Sequence, residues 1–188
     1  MNVILDITFS FIIRASVVLV ILMAVVNLNN ELYRQTDRVV LNDNLVSASQ
    51  TISNDILLAG YGSSASKTFS IAQATDMSFT ADIDNSGSND IIRYYTGPEP
   101  TGSQYILYRT INGGTPFEIT RDVFSLQFTY YDQYGTVKSG TSVSGITSVK
   151  VSIILESNHR LSSVYSDAAS ESTPQRVKWE GQFFPPNL

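Results

Sequence analysis

Residues 82–90 read DIDNSGSND, and they hold the densest cluster of metal-ligating side chains in the sequence. Asp82, Asp84, Ser86, Ser88 and Asp90 place an oxygen at every second position, with Gly87 sixth, which is the ligand order of the first nine positions of a calcium loop. The twelfth position, where such a loop closes on a bidentate glutamate, is Arg93, and no helical pattern flanks the stretch. A complete EF-hand is therefore excluded. Two readings stay open: a weak calcium loop completed by another segment, and an Asx-rich β-turn between two strands, for which Asn85, Gly87 and the polarity suffice.

Elsewhere the residues offer little chemistry. The sole histidine, His159, follows the apolar run VSIIL within ESNHRL, where a surface turn is expected. Glu156 is its only acidic neighbour in sequence, too few partners for a metal or a general base. No nucleophile elbow, His-Glu-x-x-His zinc pair or phosphate loop is present. The absence of cysteine rules out disulfides and thiolate metal sites. A formal charge of −5, with 12 dispersed Lys and Arg, builds no field for nucleic acid. We expect no catalytic residue, no enzyme, no nucleic-acid partner and no cofactor beyond calcium at the 82–90 loop.

The strongest signal lies in the elements. From Ile7 to Leu28 the sequence is ITFSFIIRASVVLVILMAVVNL, with Arg14 its only charge. A helix of about 20 such residues crosses a hydrocarbon layer of about 30 Å. No basic segment precedes the run and no small-x-small signal follows it, so retention as an anchor is expected over cleavage as a secretory leader. Past Leu28 the chain turns amphipathic without a break, and Leu28, Leu32, Val39, Leu45, Ala48, Ile52 and Leu58 or Ala59 recur at the three- and four-residue spacing of one helical face. Neither Pro nor Gly occurs before Gly60, and Gly60 with Gly62 supplies the backbone freedom by which helices end. One helix to residue 59 would reach about 88 Å, more than a head of this size covers. Its apolar first half must then find a bilayer or the same segment of other copies.

Asp6 and Arg14 lie eight residues apart, on nearly one helix face but about 12 Å apart along the axis. Charges in an apolar setting face a partner or water. Asp6 of one copy would meet Arg14, or the terminal amine, of a staggered second copy; alternatively both extend toward headgroups.

From residue 67 the pattern changes to short β-branched and aromatic runs: KTFSIA, DMSFTADI, DIIRYYT, QYILYRTI, PFEITRDV, FSLQFTYYD, ITSVKVSIILES and VKWEGQFF. The expected fold is α+β: a long N-terminal helical stem whose second half packs against an antiparallel β-sheet head. Residues 1–28 form the transmembrane or filament-core helix, 29–60 its amphipathic continuation, and 61–188 the β-rich head. Trp179 is expected to anchor the last strand, which Pro185 and Pro186 end.

The N-terminal apolar helix with an acid near its start, TISNDILLAGYG at the stem's end, ADIDNSGSNDIIRYYTG leading into QYILYRTI, VFSLQFTYYDQYG, ITSVKVSIIL and the ending NL occur in an order that resembles the type IV pilin superfamily, most of all its minor-pilin and pseudopilin branch. The resemblance implies a pilin-like fold and a structural subunit, major or minor, of a type IV pilus-like or type II secretion pseudopilus filament. It implies that Asp6, one position later and one methylene shorter than the family's glutamate, registers a new subunit. It implies homo- or hetero-oligomers with other pilin-like subunits, the inner membrane before assembly, and an extracellular or periplasmic filament afterwards. The alternative is a membrane-anchored binding or receptor module with an extracytoplasmic head.

Overall fold

The computed structural model describes residues 3–63, 68–99, 104–141, 143–157 and 174–188. His159 lies outside the described residues. The chain is one long helix, α1 (Val3–Leu57), followed by nine strands: β1 (Phe69–Ala72), β2 (Asp76–Ala81), β3 (Asp90–Pro98), β4 (Tyr105–Ile111), β5 (Phe117–Tyr131), β6 (Val137–Lys138), β7 (Gly140–Thr141), β8 (Ser148–Glu156) and β9 (Arg176–Phe183). This is the α+β layout expected of a helical stem on an antiparallel sheet.

The helix runs unbroken for 55 residues, about 83 Å at 1.5 Å per residue. It stops at Leu57, two residues before the expected end. The N–H groups of Leu58 and Ala59 donate three residues back, to Asp55 and Ile56, tightening the last turn. Gly60 then adopts φ 81°, and its N–H leaves the helix to donate to Thr80 on β2 at 2.9 Å. A side chain here would also collide with the far end of the protein, because a Cβ on Gly60 would lie 2.5 Å from the backbone oxygen of Asn187.

The sheet is antiparallel throughout, in the order β7-β1-β2-β3-β4-β5-β8-β9, with β6 paired to β5. Because β6 adds to β5 while β7 adds to β1, the segment joining them draws the two strands together and curls the sheet. Phe128 N–H on β5 donates to Ala74 and the Tyr130 hydroxyl to Gln73, both in the β1–β2 turn. The Phe69 and Tyr130 rings meet edge-on across the gap at 5.7 Å.

The runs PFEITRDV and FSLQFTYYD, read separately in the sequence, form the single strand β5. Asp122, at φ 58°, and a register shift between Val123 and Ser125 bend it, so one strand serves β4 along its first half and β8 along its second. Asn112 and Gly113, both at positive φ, make the tight turn that NG predicts between β4 and β5.

The second half of α1 packs lengthwise on β9, β8 and β5. Leu41, Leu45, Ala48, Ile52, Ile56 and Ala59 are buried from the stem side; Val149, Val151, Ile153 and Leu155 alternate inward from β8 to meet them. The contact face is the one the spacing indicated from Leu45 onward, since Leu45, Ala48, Ile52 and Ala59 are all buried. Leu28, Leu32 and Val39 are exposed, because the head reaches up the stem only to about Leu41. Trp179 and Phe183 pack against this core from β9 and stack at 5.9 Å, with Gly181 between them leaving the room that any Cβ would fill. The strand ends at Phe183, and Pro185 is buried.

Candidate functional site

Three features are built from chemistry-bearing or uncovered residues. The largest is the first half of the stem. Ile7, Phe9, Phe11, Ile12, Ile13, and then nearly every large residue to Leu28, are exposed on all sides of the helix. This helix is long and apolar enough to cross a membrane, and none of its most apolar stretch is buried. Asp6 and Arg14 are both exposed within it, and no ion pair joins them inside the chain among the described residues. That agrees with their separation along the axis.

The second feature fastens the stem to the head. Asp55, one turn from the helix end, accepts hydrogen bonds on the same oxygen from the Tyr94 hydroxyl of β3 at 2.5 Å and from Arg109 Nε of β4 at 2.6 Å. Burial, then the Asp55 charge, pushes the Tyr94 hydroxyl well above its ordinary range, so it stays a neutral donor. For Arg109, burial is the largest single influence and works against the charge, but the bond to Asp55, the Asp55 charge and Tyr94 together outweigh it and raise the guanidinium further. At the other end of the contact, Ser157 donates to Asp37 Oδ2 at 3.0 Å. None of these three pairs is visible in the sequence, since the partners are 39, 54 and 120 positions apart. The available signal was local: an aspartate between Ile52 and Ile56 on the buried face, and an arginine inside the apolar strand YILYRTI.

The third feature is the 82–90 loop. Of the five residues in the calcium pattern, Asp82, Asp84 and Asp90 bring carboxylate oxygens to within 4.8 Å of one another. Ser86 and Ser88 serve the turn: Ser86 N–H donates to Asp82 Oδ1 and Asp84 Oδ1, both at 3.0 Å, and Ser88 N–H donates to Ser86 Oγ at 3.3 Å. Gly87 N–H donates to Asp82 Oδ2 at 2.9 Å. Asp90 accepts from Ile83 N–H and from Asn112 Nδ2. The Ser86 hydroxyl and backbone hold the Asp84 carboxyl below its usual range. Arg93, at the twelfth position, turns away to a two-pronged pair with Asp76 on β2, at 2.9 and 2.6 Å. The residues thus form an Asx-closed turn whose three carboxylates would suit a hard divalent cation bound weakly. The loop is docked on the end of the stem: Asp82 N–H donates to Tyr61 O, and the Tyr61 hydroxyl to Asn85 Oδ1.

No protein-family model matches the chain, and no curated protein matches it either.

Proposed function

We propose that the chain is a structural subunit, major or minor, of a type IV pilus-like or pseudopilus filament, assembled through its N-terminal apolar helix. One observation carries the reading: residues 7–28 form a rod apolar on every side, and the head, which packs from Leu41 onward, is too short to cover it. Burying such a surface gains roughly 25 cal/mol per Å² of apolar area, a strong drive to find lipid or other stems. Before assembly the rod lies in the inner membrane as a single span; after assembly, sister rods replace the lipid and the curled sheet faces outward in the periplasm or outside the cell. Asp6 and Arg14 give the rods a register, because a charge in that setting is costly unless a neighbouring subunit meets it.

The test is electron microscopy of sheared surface material from cells making the chain, with antibody against the head. Labelled thin fibres are expected. Chain found solely as isolated membrane-embedded molecules, in cells that are making surface filaments, would favour instead an anchored module that binds through its head.

A further inference from the structure

The face of the sheet turned away from the stem carries an open cleft of about 430 Å³, within the range of small-molecule sites. Its floor is Tyr131 of β5 beside Ser148 of β8, which are register partners. Ser148 points outward because Val149, Val151, Ile153 and Leu155 take the alternate positions that face the stem. One wall is the β5–β6 turn, with Asp132 and Gln133; the other is Gln182 of β9 and Phe184 just past it. The turn is closed by its own side chain: Asp132 Oδ1 accepts the N–H groups of Tyr134 and Thr136 at 2.9 and 2.8 Å, and Gly135 takes φ 77°. Phe184 lies three residues before Asn187, whose backbone meets Gly60, so the cleft sits at the end of the head where α1 stops.

The lining selects an uncharged ligand. Asp132 is its one charged residue, and the second oxygen of that carboxylate already faces Lys138 Nζ at 3.4 Å. Lys150, next along the same face of β8, is taken by Glu180. Neither an anion nor a cation therefore finds a spare counter-charge. Hydrogen-bonding capacity, in contrast, is open. The Gln133 amide and the Tyr131 hydroxyl have no hydrogen-bond partner among the described residues. Gln182 Nε2 donates to Ser148 Oγ at 3.2 Å, which leaves the Gln182 carbonyl to accept and the Ser148 hydroxyl to donate. Beside these groups the Phe184 ring is 66% exposed. A purely apolar ligand would bury the amides and hydroxyls without partners, at a cost. A sugar ring suits both parts, since its C–H face can lie on a phenyl ring while its edge carries hydroxyls that donate and accept.

We infer that this cleft binds a neutral saccharide, stacked on Phe184 and held through its hydroxyls by Gln133, Gln182, Ser148 and Tyr131. The site is independent of how residues 7–28 are covered, because none of its residues belongs to the stem.

Full-length protein is purified in a detergent with no sugar headgroup, so that the micelle is not itself a probe. The methyl glycosides of glucose, galactose and N-acetylglucosamine are added at about 10 mM, above the roughly millimolar dissociation constant that a single small ring reaches in an open site. Saturation-transfer NMR, with irradiation of the aromatic protons, should reach the C–H protons of at least one glycoside. Phe184→Ala and Gln133→Ala should each cut the transfer about fivefold or more, and Phe184→Tyr should keep it because the ring remains. Phe117→Ala is the control: Phe117 is also 66% exposed but lies outside the cleft, and its loss should change nothing. Melting temperatures report whether the variants are folded; if Phe184→Ala lowers its own, Gln133→Ala decides, since that side chain has no partner to lose. No transfer to any of the three glycosides, equal losses from Phe184→Ala and Phe117→Ala, or full transfer in folded Gln133→Ala overturns the inference.

Discussion

Asp55 and Arg109, 54 positions apart in sequence, are joined at 2.6 Å where the end of the stem meets the middle of the sheet. The pair ties α1 to β4, a strand outside the β9, β8 and β5 surface on which the stem mainly rests. Tyr94 binds the same carboxylate oxygen from β3, so three elements converge on one side chain. Removing Asp55 leaves the fully buried Tyr94 and the partly buried Arg109 without their acceptor. Asp55→Ala should cost about 2–3 kcal/mol, below the value for a deeply buried pair because Arg109 keeps a solvent-facing edge. A double-mutant cycle with Arg109→Ala, followed by urea unfolding in detergent, should show a coupling of at least about 1 kcal/mol. Additive losses would remove the claim that the two act together.

Gly60 offers a sharper steric test. Gly60→Ala must hold alanine at φ 81° and push its methyl against Asn187, whereas Gly135→Ala meets the same kind of φ, 77°, with open space around it. We expect about 1 kcal/mol for Gly135→Ala and at least twice that for Gly60→Ala. Equal losses of thermal stability would mean that the C-terminal tail does not press on the collar of the stem.

Acid should loosen the outer face of β8 and β9. Hydrogen bonds from Lys150 and then Lys178 push the Glu180 carboxyl down to about 2 from its usual 4.5. The folded value lies below the unfolded one, so this contribution is complete above about pH 4.5 and is lost as pH falls toward 2. Glu180→Gln should therefore be less stable than the parent protein at neutral pH and converge with it in acid. Denaturant midpoints across that range check the convergence; a constant gap between the two proteins would contradict it.

The 82–90 loop predicts a weak response to calcium. Three carboxylates within 4.8 Å, compensated only by N–H and hydroxyl donors, gain from a hard cation. Millimolar calcium should raise the melting temperature by a few degrees, and Asp82→Asn with Asp84→Asn should abolish the rise. No shift and no heat of binding in the parent protein would reduce the loop to a turn.

The charges of the apolar rod predict reciprocity. Asp6→Leu and Arg14→Leu should each lower fibre yield by about tenfold, and exchanging the two residues should restore part of it, because each needs the other sign on a neighbouring subunit. Undiminished fibres from the double leucine variant would defeat the registration while leaving the packing of the rods intact.

Much of this architecture was legible in the sequence because its signals are local. A run without Gly or Pro ending at Gly60 marks the stem, and alternation in VKVSIIL marks β8. The contact face of the stem was less legible. Periodicity identified Leu45, Ala48, Ile52 and Ala59, which are buried, but it could not tell how far up the stem the head reaches, so it also included the exposed Leu28, Leu32 and Val39, and it left out Leu41 and Ile56. The division of β5 after Val123 failed because Arg121 and Asp122 interrupt the apolar run where the strand bends at Asp122 instead of ending. Of the calcium pattern, spacing identified the three carboxylates that converge, but it ranked Ser86 and Ser88 equally with them, and only the fold shows these two closing the turn.

The stem lies along β8 and β9 with Asp37 held at one end of the contact and Gly60 at the other. A pull transmitted along the helix therefore loads this interface in shear. Every row of side chains between those two points must slip together, and none can be peeled away first. A fibre of such subunits would resist traction best along its own axis, and would give way more readily when the head is levered sideways.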